Sequence, residues 1–133
     1  MSSIHCRIIT PYGVYKEMDT SIINIESEAG QQGILPNHMP LVTMLKIGKM
    51  STDEDSGREE YAVAGGLFYF RKNRAEILTD AIENKKDINV ERAENARERA
   101  QGRLNSPNPN IDMQRAEIAL QKALNRLKVT GRN

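Results

Sequence analysis

Near residue 85 the apolar residues of this chain change period, from two to the three-and-four spacing of a helix, so one regular fold cannot serve both parts. From Ser3 to Thr79 apolar and polar side chains alternate, and turn-forming residues recur every eight to twelve positions. Ile4, Cys6 and Ile8 alternate with His5, Arg7 and Ile9 before Pro11-Tyr12-Gly13 turns the chain. Residues 14–18 read as a second strand, and residues 21–27, with Ile22, Ile23 and Ile25, as a third. Gly30 and Gly33 read as brackets of a turn before Ile34-Leu35. Residues 46–50 and 59–64 read as strands flanking a polar hairpin tip at 51–58. Gly65-Gly66 reads as a turn into 67–71, and Lys72-Asn73 as a turn into 74–79. Residues 1–84 are therefore expected to form a small antiparallel β-sandwich or barrel with a thin core, each strand giving two or three inward side chains.

From Ile88 onward the chain is rich in Ala, Glu, Arg and Leu, all strong helix formers. Residues 88–104 (INVERAENARERAQGRL) and 111–127 (IDMQRAEIALQKALNRL) match at eight of 17 positions after a shift of 23. Between them, Asn105-Ser106-Pro107-Asn108-Pro109-Asn110 breaks any continuous helix, and a connection this short implies an antiparallel helical hairpin over 85–133. Asp87 and Asn110, also 23 apart, are the expected N-caps. Ala93, Ala96 and Ala100 share one helical face, as do Ala116, Ala119 and Ala123. Such small side chains allow close helix axes but bury little area, so the hairpin is expected to close weakly and to open where another surface competes. Leu120, Leu124 and Leu127 add grip on one helix, and Gly102 weakens the other. The fold class is thus α+β: an antiparallel β-sandwich or barrel over 1–84, then a two-helix hairpin.

Composition sharpens the division. The formal charge of +1 conceals −4 over residues 1–84 and +5 over residues 85–133. On the first helix Arg92, Arg99 and Arg103 share a face, and the repeat puts Arg115, Lys122 and Arg126 at equivalent positions. In an antiparallel pair Arg92 is expected near Arg126 and Arg99 near Lys122, a convergence of cations suited to phosphates. The nearest acid able to turn back on them is Glu83, in the connection between the units.

Bond-making chemistry finds little support. His5, Cys6 and His38 are the sole His and Cys residues, and His5 and Cys6 point to opposite faces of one strand, unsuited to sharing a metal. Cys6 reads as a small core residue, and a single cysteine allows no internal disulfide and fits a reducing cytosol. His38, in Pro36-Asn37-His38-Met39-Pro40, reads as a surface or local hydrogen-bonding group. The chain has none of the sequence signatures of zinc-peptidase, serine-hydrolase or phosphate-binding P-loops. No apolar stretch approaches the ~20 residues of a membrane helix, and the opening residues do not read as a signal peptide, so the chain is expected to stay where it is made.

Several local sequences then fall together. Gly33-Ile34-Leu35-Pro36-Asn37-His38-Met39-Pro40-Leu41-Val42 is followed by Ala64-Gly65-Gly66-Leu67, by Ala75-Glu76-Ile77-Leu78-Thr79 and by the Ala/Arg hairpin. The whole chain resembles the epsilon-subunit family of bacterial F-type ATP synthases. The resemblance implies a non-catalytic rotor subunit on the cytoplasmic face of the bacterial cell membrane. Its sandwich would bind the gamma subunit of the central stalk and rest on the ring of c subunits, with the loop around Gln31 to Leu41, including His38, facing that ring. Its hairpin would permit ATP hydrolysis when compact and inhibit it when extended along gamma against the beta subunits.

Some members of the family bind ATP in the compact state through a motif [IL]-D-x-x-R-A. Here it occurs as Ile111-Asp112-Met113-Gln114-Arg115-Ala116, whereas the first copy reads Ile88-Asn89-Val90-Glu91-Arg92-Ala93, with Asn89 in place of Asp. The resemblance implies that Glu83, Ile88, Asn89, Arg92, Ala93, Arg99, Lys122 and Arg126 contact the nucleotide; whether Mg²⁺ accompanies it is left open. The amide of Asn89 adds a donor and removes a charge, with consequences for helix capping or for base recognition. Two alternatives stand beside this reading. One is the same rotor subunit with nucleotide sensing lost. The other is a small nucleic-acid-binding protein, opposed by six acids among eleven cations and by the lack of any aromatic residue in 85–133.

Overall fold

The computed structural model describes residues 2–106, 108, 110 and 112–131, and the chain divides by its contacts into residues 1–84 and 85–133. In the first unit eight strands follow one another: β1 (Ile4–Thr10), β2 (Gly13–Thr20), β3 (Ile23–Ser27), β4 (Gly30–Ile34), β5 (Leu41–Glu54), β6 (Gly57–Arg71), β7 (Arg74–Leu78) and β8 (Ile82–Asn84). Along the sheet they lie in the order β2-β1-β7-β6-β5-β3-β4, with β8 also paired to β6. All neighbours are antiparallel except β1 and β7, which run parallel from His5↔Arg74 to Ile9↔Leu78. The sheet folds over a core built on Ile4, Cys6, Ile8, Ile23, Ile34, Met50, Tyr61, Phe68, Phe70 and Ile77. Alternation puts Ile4, Cys6 and Ile8 inside and leaves Arg7 exposed.

Two expectations for this unit need correction. Residues 51–58 are not a long loop: β5 and β6 pair through Glu54↔Gly57, so only Asp55 and Ser56 form the tip. Gly30 to Gly33 is strand, not turn, paired to β3 from Ser27↔Gly30 to Asn24↔Gly33. Both errors share a cause. A strand accepts polar and glycine residues where its neighbour supplies the backbone hydrogen bonds, and the buried side chains of Ser51, Thr52 and Glu54 also have side-chain partners in Asn24 and Tyr61 and in each other.

Gly65-Gly66 likewise does not turn the chain; it lies within the 15-residue strand β6, at φ 83° and 132°. A Cβ on Gly66 would stand 2.0 Å from the Leu78 carbonyl oxygen, so only glycine lets β7 approach here. At this place β6 changes company, pairing with β8 through Tyr61–Val63 and with β7 through Leu67–Arg71. The end of β2 is fastened to β5 by Asp53, whose N–H donates to Thr20 Oγ1 (3.0 Å) and whose carbonyl accepts from Ser21 N (3.1 Å).

In the second unit a short 3-10 turn (Lys85–Asp87) precedes helix α1 (Val90–Leu104), and α2 (Met113–Val129) packs against α1. Ala93 and Ala100 are buried on α1, and Ala116, Ala123, Leu127 and Val129 on α2, while Ala96 and Ala119 are half-buried. The alanine seam is therefore the packing surface. Leu124, expected to grip, is 43% exposed. The caps also differ from expectation, lying two residues later at Asn89 and Asp112. Asp87 belongs to the 3-10 turn, and Asn110 N–H donates to Asn108 Oδ1.

Candidate functional site

The repeat survives in the hairpin's detail. Asn89 Oδ1 accepts from Arg92 N at 3.1 Å, and Asp112 Oδ1 accepts from Arg115 N at 3.1 Å. As a cap, Asn89 therefore does what the carboxylate does in the second copy, each oxygen satisfying one of the unpaired N–H groups at a helix start. Ile88, just before the cap, is buried; Ile111, its counterpart, lies outside the described residues.

Five of the hairpin's cations occupy one defined position in the pattern. Arg92, Arg99, Arg115, Lys122 and Arg126 each immediately precede a buried seam residue: Ala93, Ala100, Ala116, Ala123 and Leu127 respectively. One residue is about 100° of helix rotation, so each cation flanks the seam on its N-terminal side. In two antiparallel helices that flank falls on the same side of the pair, because reversing an axis and facing the partner each invert the sense of rotation. Arg92, Arg99 and Arg115 are exposed there, and Lys122 and Arg126 are half-buried. The opposite flank carries Glu94, Gln101, Glu117, Leu124 and Lys128, so the hairpin has one cationic side and one mixed side. A cationic side drawn from two helices can bind an anion with several oxygens.

Glu83 is placed differently from expectation. It is half-buried on β8, opposite Ala62 of β6, and belongs to the sandwich rather than to a free connection. Gln31 is exposed on β4, opposite Glu26, so it too is a strand residue; only residues 35–40 leave the ladder. His38 is exposed in that loop, its Nδ1 2.7 Å from the Met39 carbonyl oxygen and its ring edge-on to Phe70 at 5.9 Å. The loop is anchored by a reciprocal pair: Asn37 N–H donates to Asn73 Oδ1 (2.5 Å), and Asn73 Nδ2 donates to Asn37 Oδ1 (2.9 Å). Both asparagines have positive φ, 68° and 59°, which their short polar side chains tolerate better than most.

One polar cluster escaped the sequence reading. Lys16, Glu54 and Tyr61 meet where β2 approaches β5. A signal for it existed: Lys16 has the inward parity of Met18 and Thr20, and an inward charge requires a partner. Among the described residues no group of three or more His, Cys, Asp or Glu could hold a metal ion, and no helix is long and apolar enough to cross a membrane.

A folded-over β-sheet followed by a two-helix hairpin with one cationic side defines a two-unit α+β protein. Family models narrow it: residues 3–85 match the ATP synthase delta/epsilon chain β-sandwich domain, and residues 86–131 match the long α-helix domain of the same chain. The chain is 44% identical to the ATP synthase epsilon chain of Bacillus subtilis, over 99% of this chain and 100% of that one. It is 40% identical to that of Bacillus velezensis, over 98% and 99%. The chain belongs to the epsilon-subunit family of bacterial F-type ATP synthases, whose members are non-catalytic subunits of that complex. In fold it is similar to a chain of Euglena gracilis mitochondrial ATP synthase (TM-score 0.77, 22% identity, 91% of this chain and 77% of that one).

Proposed function

We propose that the chain works as a central-stalk subunit on the cytoplasmic face of the bacterial membrane. In this reading its sandwich binds the gamma subunit and rests on the c ring through the side carrying Gln31 and His38. Its hairpin restrains ATP hydrolysis when extended toward the beta subunits, and ATP holds it compact. Membership of the epsilon family supports the placement, as does a fold similarity (TM-score 0.58, 14% identity, 96% of this chain and 93% of that one) to a chain solved in the Tetrahymena thermophila mitochondrial ATP synthase central stalk and c-ring.

The observation that carries the ATP latch is the position of Arg92, Arg99, Lys122 and Arg126 on one flank of an alanine seam. A triphosphate bridging both helices stabilises the closed pair by its binding free energy, because the open helices no longer present the four cations together. The seam supplies the complementary property, since methyl groups bury little area and leave the closed state sensitive to a ligand. Ile88, Asn89 and Ala93 lie beside Arg92 at the start of α1 and complete the candidate nucleotide contacts.

Titration calorimetry of the isolated chain with ATP, with and without Mg²⁺, tests the latch. Saturable heat that disappears in Arg92→Ala and Arg126→Ala supports it. No heat at millimolar ATP removes it and leaves a stalk subunit without nucleotide sensing. Truncation after residue 87 tests the restraint separately: an unchanged ATPase rate of the reassembled complex removes that role.

A further inference from the structure

His5 sits on the outer face of β1, beside the edge strand β2, in an unusual hydrogen-bonding position. Its Nδ1 lies 3.1 Å from Asp19 Oδ1 and its Nε2 3.2 Å from Glu17 Oε1. Carboxylate oxygens only accept, and a neutral imidazole has one N–H to give. Both contacts are satisfied together only when the ring carries two protons. Asp19 is the register partner of His5, whereas Glu17 stands opposite Arg7 and reaches diagonally to the ring.

Among the described residues, further charges flank the ring on its own strand and on β7. Arg7 follows two residues along β1, Arg74 is the register partner of His5 on β7, and Glu76 is the partner of Arg7. The two acids in contact with the ring both belong to β2. That strand ends the sheet order and is laddered along one edge only, with a register shift at Ile8/Ile9. On its inner side β2 is held by Lys16 and Thr20; on its outer side His5 holds Glu17 and Asp19.

We propose that His5 is a proton-operated clasp on β2: doubly protonated, it ties Glu17 and Asp19 to the body of the sheet, and on losing a proton it releases one of them and loosens the strand. This goes beyond the stalk and ATP readings and depends on neither. Hydrogen bonding to Asp19, and next to Glu17, raises the imidazole pKa above its ordinary 6.5, against a smaller opposing effect of burial. For a raised pKa the stabilisation is complete below the unfolded value and disappears as pH climbs through the folded one. The clasp is thus closed below the raised folded pKa of His5 and opens as pH climbs through it.

The test uses the full chain. Imidazole NMR across pH 5.5–9 would follow His5, and amide exchange of β2, corrected for intrinsic rates, would be compared below and above its midpoint. The expected result is a His5 midpoint above that of an ordinary histidine, and a loss of β2 protection of about two- to fivefold, the scale of a solvent-exposed ion pair. Exchange in β6 should not follow it. In the Glu17→Gln/Asp19→Asn variant, which retains two acceptors without charge, the pH step should vanish; His5→Gln should behave likewise. A His5 midpoint at or below the ordinary value overturns the proposal. So does an undiminished β2 step in the Glu17→Gln/Asp19→Asn variant, which decides the matter even if His5→Gln does not fold.

Discussion

Lys16 Nζ lies 2.8 Å from Glu54 Oε1, although Lys16 is on the edge strand β2 and Glu54 at the far end of β5. Glu54 is nearly enclosed, its side chain 7% exposed, and its second oxygen accepts from Tyr61 Oη (2.7 Å) and Thr52 Oγ1 (2.6 Å). Lys16 also donates to the Tyr61 hydroxyl at 2.8 Å. Burial alone would raise the Glu54 pKa, but the hydrogen bonds from Lys16, Thr52 and Tyr61 outweigh it and hold the group below 4.5. Burial also pushes the Tyr61 phenol up to about 12, so it stays a donor at physiological pH. Removing Lys16 leaves an enclosed carboxylate without its cation. Lys16→Met should therefore cost about 3 kcal/mol in urea unfolding, and adding Glu54→Gln should restore much of it. A single variant no less stable than the parent would show that the pair contributes nothing.

The same depressed pKa gives a pH dependence. A carboxylate with a lowered folded pKa stabilises fully above its unfolded value of about 4.5 and loses that contribution as pH falls through the folded one. Unfolding measured from pH 5 downward should fall less steeply for Glu54→Gln than for the parent. Parallel acid limbs would contradict the assignment.

Gly66 and Gly57 both have positive φ, 132° and 112°, but only Gly66 has a neighbour where Cβ would go. Gly57→Ala should cost about 1–2 kcal/mol from backbone conformation alone. Gly66→Ala should cost more, about 3 kcal/mol or above, because β7 must also move away from β6. Equal thermal shifts would remove the steric part of the argument.

Asn89 and Asp112 cap their helices with the same geometry. Asn89→Asp should leave thermal stability within about 1 kcal/mol, since the two residues are comparable N-caps. On the proposed ATP latch, calorimetry on the same variant should show higher ATP affinity, since only a contact of residue 89 with nucleotide would then distinguish amide from carboxylate. Unchanged affinity would mean that residue 89 serves the helix alone.

Ala100 is buried in the seam between α1 and α2, whereas Leu124 is 43% exposed. Ala100→Leu should lower hairpin stability by about 1–3 kcal/mol through overpacking, visible as an earlier loss of helical circular dichroism. Leu124→Ala should change it by less than about 1 kcal/mol. The reverse order would place the packing surface elsewhere.

Much of the architecture was legible in the chain because it rests on local periodicity. Alternation placed Ile4, Cys6 and Ile8 inside, and the three-and-four spacing placed Ala93, Ala100, Ala116 and Ala123 in the seam. The repeat also located the cations, since residues at one phase of a helix keep their relation to the buried face. The caps at Asn89 and Asp112 were missed by two residues because Asp87 is an equally good capping residue on local grounds.

Tertiary structure decided what depends on distant partners. Whether Gly30 to Gly33 is turn or strand is settled by β3, whether Gly65-Gly66 is turn or strand by the pairing of β6 with β5, and whether Glu83 is linker or strand by β6. The pairing of β1 with β7, and the meetings of Lys16 with Glu54 and of Asn37 with Asn73, join residues tens of positions apart. Local propensity reports which faces seek burial and where turns are easy. Which face meets which is set by the hydrogen bonds and core contacts that form only when the whole sheet closes.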